Sequence, residues 1–344
     1  MLTGPKVTQT TIAHDLGLSQ ALVSKVLNGI HERVDPATYD RVWVHALKVG
    51  YAAKGMNPKA TLAATSIRQV GVVLRSGLKL FTQSNVFSHV QEGLQEAFAG
   101  KGFTTVFLGS EDGIMPEEVP LMPGIVVFGQ VKAAFVKGLA KRTPRLVAIN
   151  SSYPGVCNSV APNESQSVEL LVNHLADLGH RRFAWIGGLP LYGRHEVRRL
   201  AFEEALRARN LPVPDERHTV VIPTGADRQE GRDAMAKLLA ASPLAERPTA
   251  VVAFNGMMAR GGINHLLQSG VAVPGELSVV AIDATRVCVE EEPHITCAST
   301  IPEKLGEAAS RLILNDKSGA EGAYHDLVLG AQFFAGTTTG KAGR

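Results

Sequence analysis

The chain has little cysteine. Cys157, Cys288 and Cys297 are the three in 344 residues, too widely spaced for a disulfide framework or a zinc pattern. A reduced, cytoplasmic protein is the expectation. No apolar run is long enough to span a bilayer, and no signal-type apolar stretch follows Met1, so no membrane partner is expected. A P-loop is lacking, and Gly187-Gly188 does not have the spacing of a dinucleotide fingerprint. The eleven histidines are scattered, with His180 and His294 in loops where capping is the commoner role. Glu290-Glu291-Glu292 reads as a solvated loop rather than a metal cluster. No enzyme activity, metal or cofactor is therefore expected. No tetramerising heptad appears in the last residues, Thr337 to Arg344, which favours a dimer.

What is present is ordinary globular composition: 45% hydrophobic and 19% charged residues. At 344 residues the chain exceeds one comfortable core, so two or more domains are expected. The net charge of +3 is unevenly placed. Residues 1–69 hold eight Lys and Arg against four acids, and the remainder holds 27 against 28. The positive excess thus sits at the N-terminal end, where a phosphate backbone would attract it.

Caps and periodicity predict three short helices in that segment. Thr8 begins the first, whose apolar stripe is Ile12, Ala13 and Leu16, and Gly17 ends it where a left-handed backbone is cheap. Ser19 is an N-cap for a second helix, Gln20 to Asn28, with Leu22, Val23, Val26 and Leu27 turned inward. Asp35 and Pro36 open a third, Pro36 standing where its missing N–H costs nothing. Two helices joined by a tight glycine turn follow helix-turn-helix grammar, although any small three-helix bundle has similar spacing.

Beyond Tyr51 comes a stretch of small residues. It suits a flexible linker, or a short helix with Asn57 as N-cap and Pro58 at N1 that forms only when docked. From Val70 the pattern changes to alternating strand and helix. Val70–Leu74, Phe103–Leu108, Ile125–Phe128 and Arg145–Ile149 are expected strands, followed by a second set at Arg182–Ile186, Thr219–Ile222, Ala250–Phe254 and Ser278–Ile282. Helices are expected between them, the clearest at Ser88–Gly100, Ser165–Leu178, His195–Arg209, Asp227–Ala241 and Met257–Gln268. The proline-rich stretch Gly109–Pro123 is expected to lack a full helix. Such alternation means α/β architecture, here two Rossmann-like parallel-sheet subdomains with a cleft between them.

The run from Val7-Thr8-Gln9 through Ile12-Ala13, Gly17-Leu18-Ser19 and Val23-Ser24-Lys25-Val26-Leu27-Asn28 closely resembles the headpiece of the LacI/GalR repressor family. Arg33-Val34-Asp35-Pro36-Ala37-Thr38 is similar to the start of that family's third helix. Further along, His174-Leu175-Ala176-Asp177-Leu178-Gly179-His180-Arg181-Arg182 and Leu277-Ser278-Val279-Val280-Ala281-Ile282-Asp283 resemble motifs of its effector-binding body. The match extends from Val7 to Thr339.

This resemblance implies a sequence-specific transcriptional regulator, a repressor that binds palindromic double-stranded operator DNA as a homodimer. A small effector, expected to be a carbohydrate, controls it from the cleft. Gln20, Ala21 and Lys25 fall at base-reading positions; Thr8, Ser19, Ser24, Asn28 and Arg33 fall at phosphate contacts. Leu62 falls where the family's hinge wedges the minor groove, although this chain is longer than usual before it. Effector contacts carry over to Ser84, Phe87, Asn150, Arg198, Asn255 and Asp283, with Arg198 and Asp283 able to clamp vicinal hydroxyls. Departures are Asn163-Glu164 for a D-N pair, Asn255-Gly256 without the usual Asp, and Ala226 near a position where some members place an aromatic.

The implied domains are a headpiece at 1–51, a hinge at 52–69, and a first effector subdomain from 70–160 plus about 291–325. The second subdomain takes 161–290 plus about 326–340. A transport-type sugar-binding protein would share this body but leave the N-terminal module unexplained.

Overall fold

A computed structural model describes residues 8–27, 34–35, 38–39, 41–42, 45–46, 49, 51, 68–76, 86–143, 145–188, 193–243, 246–315 and 323–343. Asn28, Arg33, Leu62, Ser84 and the expected hinge helix lie outside the described residues. The chain divides into two compact units, Met1–Arg68 and Gln69–Arg344.

In the first unit the caps act as the sequence predicts. Thr8 Oγ1 accepts from Thr11 N at 3.2 Å and starts the helix Gln9–Leu16. Gly17 closes it with φ of 65°, a conformation open to glycine at little cost. Ser19 Oγ accepts from Leu22 N at 3.2 Å and starts the helix Gln20–Leu27. Asp35 caps the third segment, receiving Thr38 N at 2.9 Å, and its described residues from Thr38 to Ala46 are helical. Ile12, Ala13, Val23, Val26, Leu27, Tyr39, Val42 and Ala46 form one small buried core. Arg41 donates to the Leu16 carbonyl, and His45 Nε2 lies 2.9 Å from Asp15 Oδ2, tying the third segment to the first helix.

The second unit contains two six-stranded sheets. The first comprises β1 (Arg68–Leu74), β2 (Phe103–Ser110), β3 (Ile125–Phe128), β4 (Leu146–Ile149), β5 (Asn158–Pro162) and β11 (Asp326–Leu329), ordered β11-β5-β4-β3-β1-β2. The second comprises β6 (Phe183–Gly188), β7 (Thr219–Ile222), β8 (Ala250–Ala253), β9 (Ser278–Ala281), β10 (Thr296–Ser299) and β12 (Gln332–Phe334), ordered β12-β10-β9-β8-β6-β7. The pairs β1–β3, β3–β4, β4–β5 and β5–β11 in the first sheet and β7–β6, β6–β8, β8–β9 and β9–β10 in the second are parallel, and β10 with β12 is antiparallel. Central strands such as β3, β4, β8 and β9 are buried at every residue, as parallel sheets covered on both faces require. Between Ser110 and Gly124 only a short 3-10 turn, Pro116–Glu118, forms, in line with the proline-rich sequence.

The late crossings differ from the expected subdomain limits. Hydrogen bonding puts Thr296–Ser299 in the second sheet, beside β9, and Asp326–Leu329 in the first, beside β5. β11 takes the outer position of the first sheet, while β10 lies between β9 and β12 in the second. The helix Pro302–Asn315 packs on the first lobe, where Leu305, Ala308, Ala309 and Ile313 share a core with Val90 and Leu94.

The chain therefore passes between lobes three times, near Asn163, Thr300 and Gly330. These crossings are bonded side by side: Thr300 Oγ1 donates to the Leu329 carbonyl at 2.7 Å, and Asn163 N donates to the same carbonyl at 2.9 Å. A buried hydroxyl thus holds the connections in register at the base of the cleft.

Candidate functional site

The cleft between the two lobes has a volume of about 510 Å³ and is lined from both sides. Strand C-terminal ends point their following residues into it, as open α/β sheets do. Asn150 follows β4, Asn255 follows β8 by two residues, and Asp283 follows β9 by two. Asn150, Arg198, Asn255 and Asp283, four of the six expected effector contacts, all line this one cavity.

Their chemistry is unequal. Asn150 stands at φ of 62°, a left-handed backbone that asparagine tolerates better than most residues. Its side chain is buried, and both amide atoms have no hydrogen-bond partner among the described residues. Asn255 is already engaged: its Oδ1 accepts from Met258 N at 2.8 Å and its Nδ2 donates to the Ala226 carbonyl at 2.9 Å. Asp283 receives three backbone donors, Gly256 N at 2.8 Å, Ala284 N at 2.7 Å and Thr285 N at 2.6 Å.

Arg198 is buried, and four of its five donor hydrogens are spent within the protein. Nε and Nη2 go to Glu164, and Nη1 goes to the carbonyls of Phe254 and Ile282. The guanidinium also lies 4.9 Å from the centre of the Phe254 ring, within cation–π range. An Arg198–Asp283 clamp that wraps a ligand on its own is therefore not what forms; the pair mainly shapes the wall, with one guanidinium hydrogen to spare.

Glu164 is the member that sequence reasoning leaves without a role. Burial alone would raise its carboxyl, but Arg194 and Arg198 outweigh that and hold it below the usual carboxylate range. Burial in turn lowers the Arg198 guanidinium, opposed by Glu164. Thirty-four residues separate Glu164 from Arg198, so no local pattern advertises the pair. Asn163-Glu164 stands out only as a departure from the family motif.

Phe87 corrects an expectation. It is buried in the first lobe's core, 5.4 Å from the Phe128 ring, and its neighbour Val86 lines the cleft instead. The apolar stripe of the helix Val86–Phe98 demands this, since Phe87, Val90, Leu94 and Phe98 share its buried face. Residues not foreseen in the cleft include Ser76, His195, Phe254 and Thr285. Ser76 Oγ, Thr285 Oγ1 and both ring nitrogens of His195 are buried without a hydrogen-bond partner among the described residues. Burial lowers the His195 ring below the ordinary histidine value, opposed by Glu196. The three cysteines are buried as well, and burial pushes the Cys157 thiol up to about 12, which removes it as a nucleophile.

In the first unit, Gln20 and Ala21 are exposed at the N-terminal end of the second helix, and Lys25 lies partly exposed one turn on. Thr8 and Ser19 use their side-chain oxygens as helix caps, with the oxygens near the surface. Ser24 is half-buried on the same helix.

A family model described as a periplasmic binding protein-like domain matches residues 172–339. Over 324 residues the chain is 25% identical to catabolite control protein A of Priestia megaterium, covering 89% of this chain and 91% of that one. A solved LacI transcriptional regulator from a Rhodococcus species superposes with a TM-score of 0.67 at 25% identity, covering 80% of this chain and 99% of the other. A structure titled transcriptional regulator CelR–cellobiose complex superposes with a TM-score of 0.66 over 97% of this chain and 100% of that one; at 22% identity it speaks for the fold. With two parallel-sheet lobes, a polar cleft between them and a capped pair of short helices earlier in the sequence, the chain is similar in sequence and fold to the LacI family of transcriptional regulators.

Proposed function

We propose that this regulator binds palindromic operator DNA as a homodimer and that a small, uncharged, hydroxyl-rich effector in the cleft sets its affinity. The observation that carries the effector half is the set of polar atoms on Ser76, Asn150, His195 and Thr285 around one cavity that have no hydrogen-bond partner among the described residues. Buried donors and acceptors left unpaired cost free energy, and a ligand with several hydroxyls repays that cost. Charge supports the same class: Arg75, Arg194 and Arg198 in the wall are matched by Asp227, Glu230 and Asp283. A phosphate or carboxylate ligand would favour an excess of cations. Phe128 and Phe254 add apolar faces of the kind that sugar rings stack on. The structural neighbour solved with cellobiose points the same way.

For DNA, Gln20, Ala21 and Lys25 present a donor–acceptor amide, a methyl group and an ammonium to the major groove. Lys25 offers guanine a point charge where an arginine would offer a fork. Thr8, Ser19, Ser24, Asn28 and Arg33 serve the phosphates, and Leu62 serves the minor groove. Effector binding draws the lobes together about the three bonded crossings, and the hinge segment passes the change to the headpiece. Cytoplasmic location and the absence of catalysis belong to this reading. A transport-type binding protein is the alternative, and it gives the N-terminal helices no task.

The experiment is a fluorescence anisotropy titration of the protein's own upstream DNA, with and without a panel of neutral sugars. Specific binding that one sugar shifts at least tenfold supports the proposal. DNA binding that no sugar alters contradicts the effector half, and no specific binding contradicts the whole.

A further inference from the structure

Two helices of the first lobe, Val86–Phe98 and Pro302–Asn315, cross almost backbone to backbone, and three metal-ligating side chains converge where they do. A Cβ on Gly93 would lie within bonding range of the Glu303 carbonyl oxygen, and one on Gly306 would press on the Val90 carbonyl oxygen. Glycine at both positions permits the approach and sets the backbone that carries His89 and Glu92 on one helix and Glu303 on the other. His89 and Glu92 are three residues apart, which puts them on one helix face. One ligand atom from each of the three residues lies within 4.8 Å of the other two. His89 Nδ1 is 2.6 Å from Glu303 Oε1, and the imidazole is only 6% exposed. Glu303 is 28% exposed and Glu92 48%, so the cluster is rooted inside the protein and opens to solvent at its Glu92 end. There Arg286 of the second lobe reaches Glu92 Oε2 at 3.6 Å, a long pair between half-exposed groups that holds the carboxylate weakly.

We propose that His89, Glu92 and Glu303 form a binding site for a divalent transition-metal ion of the zinc or manganese class. A plain His89–Glu303 hydrogen bond accounts for two of the residues; Glu92, facing the same point, completes a ligand set. The donors decide the class of ion. Imidazole suits zinc and its first-row neighbours, and carboxylates suit manganese as well, whereas magnesium and calcium take oxygen shells and gain nothing from a histidine. Bonds of about 2.1 Å place ligand atoms about 3.4 Å apart around a tetrahedral ion, so His89 and Glu303 open slightly while Glu92 swings inward. Three protein ligands leave a further position for water. Two carboxylates drawn to one ring repel each other, and a dication reverses that cost. The site stands directly behind the cleft, since Val86, one turn before His89, and Pro302, next to Glu303, both line the cavity. A bound ion ties together the helix ends that supply this part of the first-lobe wall, and it draws Glu92 away from Arg286. His89 and Glu303 are 214 residues apart, so no sequence spacing announces the set. The inference is independent of what the effector is.

The test uses the full-length protein, stripped with a chelator and then titrated with zinc, manganese and cobalt chlorides. Calorimetry reads stoichiometry and affinity, and the visible absorption of cobalt reads whether protein ligands have replaced its water shell. The expected result is saturable binding of a single ion per chain, with new cobalt bands. Loss of an outer-shell partner alone costs a metal site about tenfold or more, so Glu92→Gln and Glu303→Gln are each expected to weaken binding by at least about tenfold. Glu92→Gln alters a half-exposed group, so it keeps the test decisive if Glu303→Gln fails to fold. No binding by the unmodified protein up to millimolar metal overturns the site. So does single-ion binding that a folded variant leaves unchanged, and so does weak uptake of several ions that neither variant alters.

Discussion

Arg198 Nε donates to Glu164 Oε2 at 2.6 Å, joining two side chains that are both more than nine-tenths buried and belong to different helices of the second lobe. The pair holds the guanidinium against the carbonyls of Phe254 and Ile282, the strand ends on which the cleft wall is built. Its removal therefore acts on stability and on the site together. Glu164→Leu leaves a buried cation uncompensated and is expected to cost about 3–5 kcal/mol in urea denaturation. The double variant Glu164→Leu/Arg198→Met removes both charges and is expected to regain most of that loss while losing the effector response. A double variant no more stable than the single one would show that the pair is not the coupled unit described.

Three histidines set the response to acid. Burial lowers His174, His180 and His195, with weaker opposing influences, so each folds in its neutral form. His180 sits between Thr249 Oγ1 at 2.9 Å and the Gly340 carbonyl at 3.0 Å, tying the final segment to the second lobe. The unfolded chain takes up protons near the ordinary histidine value of about 6.5, before the folded chain does. Stability is thus complete above that value and falls as pH drops below it. Glu164, held below the carboxylate range, adds its own loss only at lower pH. The melting temperature is expected to be flat from pH 8 to 7 and to decline from roughly 6.5 to 5. A His180→Gln variant should show a shallower decline; an unchanged slope would remove His180 from the explanation.

Gly93 is required by a helix crossing. A Cβ there would stand within bonding range of the Glu303 carbonyl oxygen, which as backbone has little room to give. Gly93→Ala is expected to push the helices Val86–Phe98 and Pro302–Asn315 apart and to cost about 1–3 kcal/mol or more. Gly100→Ala is the contrasting case, since its φ of 70° strains any side chain while a Cβ meets nothing within 4 Å. Its cost comes from the backbone alone and should be about 1 kcal/mol. Equal losses in chemical denaturation would contradict the close crossing at Gly93.

Asp283 carries a prediction that separates scaffold from ligand contact. Asp283→Ala removes the acceptor for Gly256, Ala284 and Thr285 N–H, so both a lower melting temperature and a lost effector response are expected. Full stability with a lost response would mean that the carboxylate serves the ligand directly.

Much of this was legible in the sequence where the physics is local. Ile125–Phe128 and Thr219–Ile222 form strands at the predicted limits, because each short β-branched run is bounded by turn residues. The caps Thr8, Ser19 and Asp35 act where their spacing implies. Long-range partnership was not legible. β5 ends in a proline and holds Asn158 and Ser159, and β10 reads Thr-Cys-Ala-Ser, so neither has a strand's usual apolar signal. The Glu164–Arg198 pair arises from tertiary closeness alone. Asn150 and Asp283, carried over from the family resemblance, line the cleft because they follow strand ends that face it, whereas Phe87 sits on the buried side of its helix and serves the core.

The central claim is that this chain reads DNA sequence through the helix Gln20–Leu27. It is tested most directly by selecting bound sequences from random double-stranded DNA with the full-length protein, alongside Gln20→Ala and Lys25→Ala. The account predicts an enriched palindrome for the unmodified protein, with each substitution relaxing preference at symmetry-related base pairs by about 1–3 kcal/mol. Enrichment of no palindrome, or the same palindrome undiminished in both variants, would contradict it.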